Sequence, residues 1–310
     1  MKAKELLSFA LIIPTYNGRE KVSRLLTNLL LLEYIPDEVI VVIDGSEDGT
    51  IEAVSSFKSH LTTLQICKQS NKGRSISRNV GAKMATSKIL LFMDDDMIPD
   101  EKCFGVHLTH HGTFSGTLAT GPQFNVSKGS PFDDFRVTLS EKWHLDSVSE
   151  DDGSILKKAP FVTAANFSIE RDLFVALGGF DEELTDAEDL DLAYRAATFG
   201  HKCYYLPSAV GYHFDGVDLK GYIRRLRQYR SALYRLEQLK PQLYSKNIIN
   251  RVTPPSGLKA LFFRCFASEN LINFMGNEIL SGMIPSGLRN RIFDLVVTAN
   301  GSYFVDIVEL

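Results

Sequence analysis

The sequence predicts an α/β fold, a mainly parallel sheet flanked by helices, extended at its C-terminus by a helical region. Three observations lead there. Residues 9–13, 39–43 and 89–93 are short continuous apolar runs, the pattern of strands buried on both faces. Segments with helical spacing separate them, giving a β-α-β-α-β-α-β rhythm that places helices over both faces of a parallel sheet. Polar clusters, Asp44-Gly45-Ser46 and Asp94-Asp95-Asp96, end two of the runs, and ligands of such sheets bind beyond the carboxyl ends of the strands.

The elements follow in order. Residues 9–13 form the first strand, ended by Pro14, and residues 19–32 a helix with leucines at helical spacing. A second strand over 39–43 leads through the Asp44 turn to a helix over 48–57, and 61–67 reads as a third strand. In the helix after Gly73, Ile76, Val80 and Met84 share one face. The fourth strand, 89–93, stops at the three aspartates. The stretch 112–158 is irregular, with a strand near Leu118 and a helix over 132–144. A strand over 161–169, a helix, the turn Gly178-Gly179-Phe180-Asp181, a helix over 188–199 and strands over 203–206 and 209–213 complete a first domain, 1–215. The second region, 216–310, opens with a basic amphipathic helix over 219–239 and continues helical over 258–297.

Composition excludes several classes. A net charge of −4 supplies no general polyanion-binding field, so nucleic acid is not expected as a partner. Cys67, Cys103, Cys203 and Cys265 form no CxxC pair or zinc spacing and read as free thiols of a reducing cytoplasm. Lys2, Lys4 and Glu5 precede only a brief apolar run, so no signal peptide is expected, and no run reaches the ~18 residues of a spanning helix. A cytoplasmic location follows, with peripheral contact to the inner face of a membrane left open. No GxGxxG follows the first strand, no GxxxxGK[ST] is present and no GxSxG elbow occurs. His107, His110 and His111 read as a surface histidine patch, with adventitious metal binding as the alternative.

Two acidic clusters carry the candidate chemistry. Residues i and i+2 at a strand end point the same way, so Asp94 and Asp96 aim together at one ligand with Asp95 turned aside. Close carboxylates need a cation, and hard oxygen donors select Mg²⁺ or Mn²⁺, which share their coordination with phosphate oxygens. Glu188-Asp189-Leu190-Asp191 opens a helix whose dipole favours carboxylates, and Asp191 and Arg195 are spaced as an i,i+4 pair. A general base is expected at Asp189, with Glu188 second.

Together these pieces resemble the family 2 glycosyltransferases of GT-A fold, over about residues 9–215. Ile12-Ile13-Pro14-Thr15-Tyr16-Asn17 is similar to the family's opening strand and nucleotide loop. Val42-Ile43-Asp44-Gly45-Ser46-Glu47-Asp48-Gly49-Thr50 resembles its VDDGSxDxT segment, with Ile43 in place of the first acid. Asn71-Lys72-Gly73-Arg74-Ser75, Arg78-Asn79 and Gly81 match its N-x-G-x-(S/A)…R-N-x-G stretch. Asp94-Asp95-Asp96 stands at its DxD metal motif, and Gly178-Gly179-Phe180-Asp181-Glu182 with Glu188-Asp189-Leu190-Asp191-Leu192 at its GGFDE…EDxDL pair.

The resemblance implies an inverting transfer of a sugar from a nucleotide diphosphate sugar, UDP-sugar foremost, to an acceptor hydroxyl in glycan or polysaccharide biosynthesis. Pro14, Thr15, Tyr16, Asn17, Asp44, Gly73, Arg78, Asp94, Asp95 and Asn166 are the expected nucleotide-sugar-binding residues. Arg78 either approaches the diphosphate or organises the carboxylates. Asn166 lines a sugar or acceptor pocket, or caps a strand. Metal ligands are expected at Asp94 and Asp96, with His213 either a third ligand or a packed core histidine. A divalent ion supplies charge neutralisation to the leaving diphosphate, so one base suffices, unlike the two carboxylates of glycoside hydrolysis. Arg224, Arg225, Arg227 and Arg230 close over the diphosphate, touch anionic lipid, or form a solvated helix face. The apolar segment of Ile272, Phe274, Met275, Ile279, Leu280, Met283 and Ile284 is read as helical core, with a dimer face or membrane contact as alternatives. Rival readings are a sugar-nucleotide-forming nucleotidyltransferase, whose Gly-rich Arg-containing first loop is missing here, and a non-catalytic sugar-nucleotide-binding protein.

Overall fold

A computed structural model describes residues 7–145, 155–156, 160–244 and 253–309. Lys2, Lys4 and Glu5, and the far end of the irregular middle stretch, lie outside the described residues. The chain divides into two compact units, 1–124 with 143–214, and 125–142 with 215–310.

The first unit alternates β1 (Phe9–Thr15), α1 (Arg19–Leu29), β2 (Glu38–Asp44), α2 (Thr50–Ser56), β3 (Leu64–Gln69), α3 (Arg74–Met84) and β4 (Ile89–Met93). After the aspartates come β5 (Met97–Pro99), α4 (Cys103–His111), β6 (Thr117–Thr120) and β7 (Gln123–Asn125). Helix α5 (Pro131–Leu145) and β8 (Ile155–Leu156) precede β9 (Asn166–Glu170), α6 (Arg171–Ala176), α7 (Glu188–Thr198), β10 (Lys202–Tyr205) and β11 (Gly211–His213). The main sheet has the order β3-β2-β1-β4-β9-β6-β10-β8, and a small sheet the order β5-β11-β7. Strands β1 to β4 pair in parallel, as does β6 with β10, while β9 runs antiparallel between β4 and β6. The apolar runs account for this: every residue of β1, β2 and β4 is buried, so both faces need helical cover. The strand order reverses between β1 and β4, the switch point at which open α/β sheets form a crevice.

One expectation changes. The strand expected over 161–169 begins only at Asn166, because the residues before it form the loop that passes the carboxyl end of β4. On α3, Ile76, Val80 and Met84 are half-buried, Val80 and Met84 packing against the core, and the fully buried residues are Ser75, Ser77, Arg78, Gly81 and Ala82, small residues packing on β1 and β2 and an arginine reaching the sheet end.

The second unit contains α8 (Leu219–Leu239), α9 (Pro241–Tyr244), α10 (Gly257–Arg264), α11 (Glu269–Gly276), α12 (Glu278–Gly282) and α13 (Ser286–Thr298). Its core joins Phe132, Phe135, Leu219, Ile223, Ile272, Met275, Phe293 and Val296. Phe132 and Phe135 lie 5.2 and 5.4 Å from the Phe293 ring, which is why 125–142 belongs to this unit and not, as the sequence reading assigns it, to the first. The arginine run on α8 divides. Arg224 and Arg225 are exposed, whereas Arg227 donates to the carbonyls of Asn300 and Val308, each at 2.8 Å, and Arg230 to that of Ser302. Those two therefore hold the C-terminal segment. The expected apolar core at 272–284 also divides: Ile272 and Met275 are buried, and Phe274, Ile279, Leu280 and Met283 are exposed.

Candidate active site

The carboxyl ends of β1, β2 and β4 open into a cleft of about 320 Å³ lined by Pro14, Thr15, Tyr16, Lys21, Asp44, Arg74, Ser77, Asp94, Asp95 and Asp96. Six expected nucleotide-sugar residues thus share one concavity with Asp96. Lys21, Arg74 and Ser77 join them without having been singled out. Arg74 lies inside the Asn71–Ser75 stretch and opens α3, where it pairs with Asp186 at 3.3 Å. Tyr16 presents a half-exposed ring at the rim.

The three aspartates diverge. Asp95 turns back to β1, where the Thr15 hydroxyl donates to it at 2.6 Å across the switch point. A Cβ on Gly18 would fall 2.1 Å from that carboxylate, so only glycine lets the loop pass there. Burial, with Asp96 and Asp94 beside it, pushes Asp95 up to about 7 against the Thr15 hydrogen bond. Burial would raise Asp96 too, but His213 and Lys21 hold it well below the usual carboxylate range. His213 Nε2 lies 3.2 Å from Asp96 Oδ1 and Lys21 Nζ 3.0 Å from Oδ2. Strand pairing of β11 with β5 sets this meeting, His213 lying opposite Met97.

Asp94 instead accepts from Arg78 Nη2 at 2.6 Å, and Arg78 Nη1 donates to Glu188 at 2.5 Å. Arg78 is 2% exposed, and although burial opposes its charge, Asp94 and Glu188 raise its pKa. It therefore organises carboxylates, the second of its two expected tasks. Asp96 meets His213 while Asp94 pairs with Arg78; both carboxylates line the cleft, and no cluster of three donors stands preassembled among the described residues. The donor set nonetheless suits a divalent cation. Three adjacent carboxylates line the cleft, and one of them, Asp96, meets an imidazole, oxygen and nitrogen donors of the kind such an ion takes.

Asp189 accepts from the backbone N–H of Ala164 at 3.2 Å and of Leu190 at 2.7 Å. Burial, then the Glu188 charge, raises its pKa despite those bonds and Arg78. The backbone before it is unusual. Ala187 sits at φ 62, a left-handed conformation costing a non-glycine residue roughly 1 kcal/mol or more, and it aims the first turn of α7 inward. The turn before α7 is sewn to α3: Asn79 both donates to and accepts from the Phe180 backbone, at 2.8 and 2.9 Å, and Ser75 donates to the Leu184 carbonyl. Arg195, beyond its 2.7 Å pair with Asp191, donates to the carbonyls of Leu177 and Gly179.

Other expected residues act on loops. Asp44 accepts from Gln69 at 2.7 Å and from the N–H groups of Lys72 and Gly73 at 2.8 Å, with Gly73 at φ +95. Asn17 receives the Glu47 N–H at 2.9 Å and gives its own N–H to Ser46, joining the first two loops. Asn166 is 0% exposed and acts as a structural amide, the second of its two expected roles. Its Nδ2 donates to the carbonyls of Ala209 (2.8 Å) and Pro122 (3.1 Å), so its Oδ1 accepts, and His107 Nε2 is the donor at 3.0 Å. His107 Nδ1 then accepts from the Ser168 hydroxyl at 2.7 Å, and Ser168 accepts from His111 Nε2 at 2.9 Å. His107, His110 and His111 are thus no surface patch: all three are buried between α4 and the sheet, the reverse of what three polar side chains within five residues suggest. Burial pushes them down to about 4, 4 and 3.

The family model for glycosyl transferase family 2 matches residues 10–178, more than half of the chain. The chain belongs to glycosyl transferase family 2. The glycosyltransferase AglE of Haloferax volcanii is 26% identical over 209 residues, 66% of this chain and 66% of that relative's length. Among solved structures, the mannosyltransferase PcManGT from Pyrobaculum calidifontis, in complex with GDP-Man and Mn²⁺, superposes with a TM-score of 0.60 at 18% identity, covering 96% of this chain and 88% of that one. A fragment of S. aureus TarS in complex with UDP-GlcNAc gives 0.55 at 17% identity, covering 96% and 93%. The family 2 transferase therefore has the GT-A fold, and its cleft lies at the carboxyl ends of β1, β2 and β4. No helix among the described residues is long and apolar enough to cross a membrane.

Proposed function

We propose that this glycosyltransferase binds a nucleotide diphosphate sugar, a UDP-sugar, in the cleft between Tyr16 and Asp96 and transfers the sugar with inversion to an acceptor hydroxyl during glycan or polysaccharide biosynthesis. One observation carries the reading: Arg78 bridges Asp94, beside the donor cleft, to Glu188, beside Asp189, joining donor site and base into one cluster. Tyr16 stacks on the base at the rim, and Lys21 and Arg74 meet the diphosphate. Asp96 and His213, with Asp94 beside them in the cleft, would hold a divalent ion, Mn²⁺ or Mg²⁺, which when bound would supply neutralising charge to the leaving group. Mn²⁺ in the PcManGT complex and UDP-GlcNAc in the TarS complex support these assignments by analogy of fold.

Asp189 takes the proton of the acceptor hydroxyl as its oxygen bonds to the anomeric carbon and the bond to the diphosphate breaks. Glu188 is committed to Arg78, whereas Asp189 accepts only backbone N–H groups and has a raised proton affinity, as a base requires. A thermal-shift screen of nucleoside diphosphates and their sugars, with and without Mn²⁺, tests the donor site, because a ligand of the native state raises the melting temperature. A metal-dependent rise with UDP or a UDP-sugar is expected. A larger rise with GDP would replace the base, and none with any nucleotide would remove the reading. Asp189→Asn is expected to keep that shift while lowering transfer by roughly a hundredfold or more.

A further inference from the structure

The helices that close the second unit present apolar side chains to solvent. Leu258, Leu261 and Phe262 on α10, Ile279 on α12, Met283 just after it and Leu288 on α13 are each more than half exposed, Leu258 at 87%. They fall within about thirty residues of sequence. The five large apolar residues of the first unit exposed to that degree are scattered from Tyr16 to Phe199. Leu258, Leu261 and Phe262 are spaced i, i+3, i+4, one face of a helix. An exposed apolar helix face of this kind marks a surface that another apolar phase covers.

Charge says which phase. Residues 215–310 carry 13 Lys and Arg against 8 Asp and Glu, and residues 125–142 are balanced, whereas 1–124 with 143–214 carry 18 against 27. The chain's net negative charge thus conceals a cationic helical unit. On α10 itself, exposed Lys259 and Arg264 flank the apolar residues and no carboxylate occurs. Arg224 and Arg225 stand exposed on α8 in the same unit. A two-fold self-contact through α10 would set these cations against their own copies. An anionic lipid surface would instead pair with them while taking the leucines and phenylalanine at the acyl boundary, the arrangement of an interfacial helix.

We propose that the exposed apolar face of α10 forms a docking surface for an anionic lipid bilayer. The proposal is separate from the donor-site reading and is tested without it. The full chain is floated with vesicles of phosphatidylcholine alone and of phosphatidylcholine mixed with phosphatidylglycerol, at low and high salt. Recovery with the anionic vesicles is expected to exceed that with neutral ones by roughly tenfold and to fall with salt. Leu258→Glu/Leu261→Glu should abolish recovery with the melting temperature kept, because these two side chains are largely in water already. Lys259→Glu/Arg264→Glu should remove the preference for anionic lipid. Absence of flotation by the unaltered protein overturns the proposal. So does a concentration-dependent dimer in sedimentation velocity that the Leu258→Glu/Leu261→Glu pair dissolves, which would give the face to a second copy.

Discussion

The buried imidazoles make a quantitative demand on stability. His107 and His111 are locked as neutral rings by a hydrogen-bond chain whose direction Asn166 sets through the Ala209 and Pro122 carbonyls. An unfolded histidine titrates near 6.5, whereas these are pushed down to about 4 and about 3. Between those values the unfolded chain binds protons that the native protein refuses, so their contribution is intact above about pH 7 and is lost as pH falls from there through about 4. At about pH 5 each costs on the order of 2 kcal/mol, or about 4 kcal/mol together. Asp95 and Asp189 work the other way, since carboxyls with raised pKa gain protons on folding and stabilise the native state as pH falls. The unaltered protein therefore shows a flattened profile, and the histidine contribution is read by difference. Urea unfolding of the protein and of His107→Gln/His111→Gln, at about pH 7.5 and about pH 5, is the assay. The double variant starts less stable but is expected to lose about 4 kcal/mol less on acidification. Parallel losses in the two proteins would refute the neutral buried network.

Three further outcomes are expected. Arg78→Met leaves the Glu188 and Asp94 carboxylates facing each other without their cation, and should cost roughly 3–5 kcal/mol by denaturant unfolding; Arg78→Lys restores part of it. The pH–rate profile of transfer should lose activity on its acid side above the ordinary aspartate range, because Asp189 is raised by burial and by Glu188, and a limb at the ordinary aspartate pKa would reassign the base. Asp96→Asn/His213→Ala should abolish the Mn²⁺-dependent part of the nucleotide thermal shift while any metal-independent shift survives; an unchanged Mn²⁺ effect would move the ion elsewhere.

What the sequence by itself determined is local and near-local. Continuous apolar runs mark β1, β2 and β4 because a strand covered on both faces has no polar side to alternate with, and Asp44 and Asp94–Asp96 are legible as strand-end clusters because polarity returns where the strand leaves the core. Helix α8 is readable from its spacing over its full length, Leu219–Leu239. The tertiary structure decided which charges meet. Arg78 and Glu188 stand 110 residues apart and touch only because α3 and α7 converge on one sheet end, an arrangement set by strand order rather than by periodicity. It paired Asp94 with Arg78, and it gave 125–142 to the second unit through the Phe293 ring. It also reversed the reading of His107, His110 and His111. Polar residues signal solvent only when no internal partner can satisfy them, and Ser168 and Asn166, some sixty residues away, can.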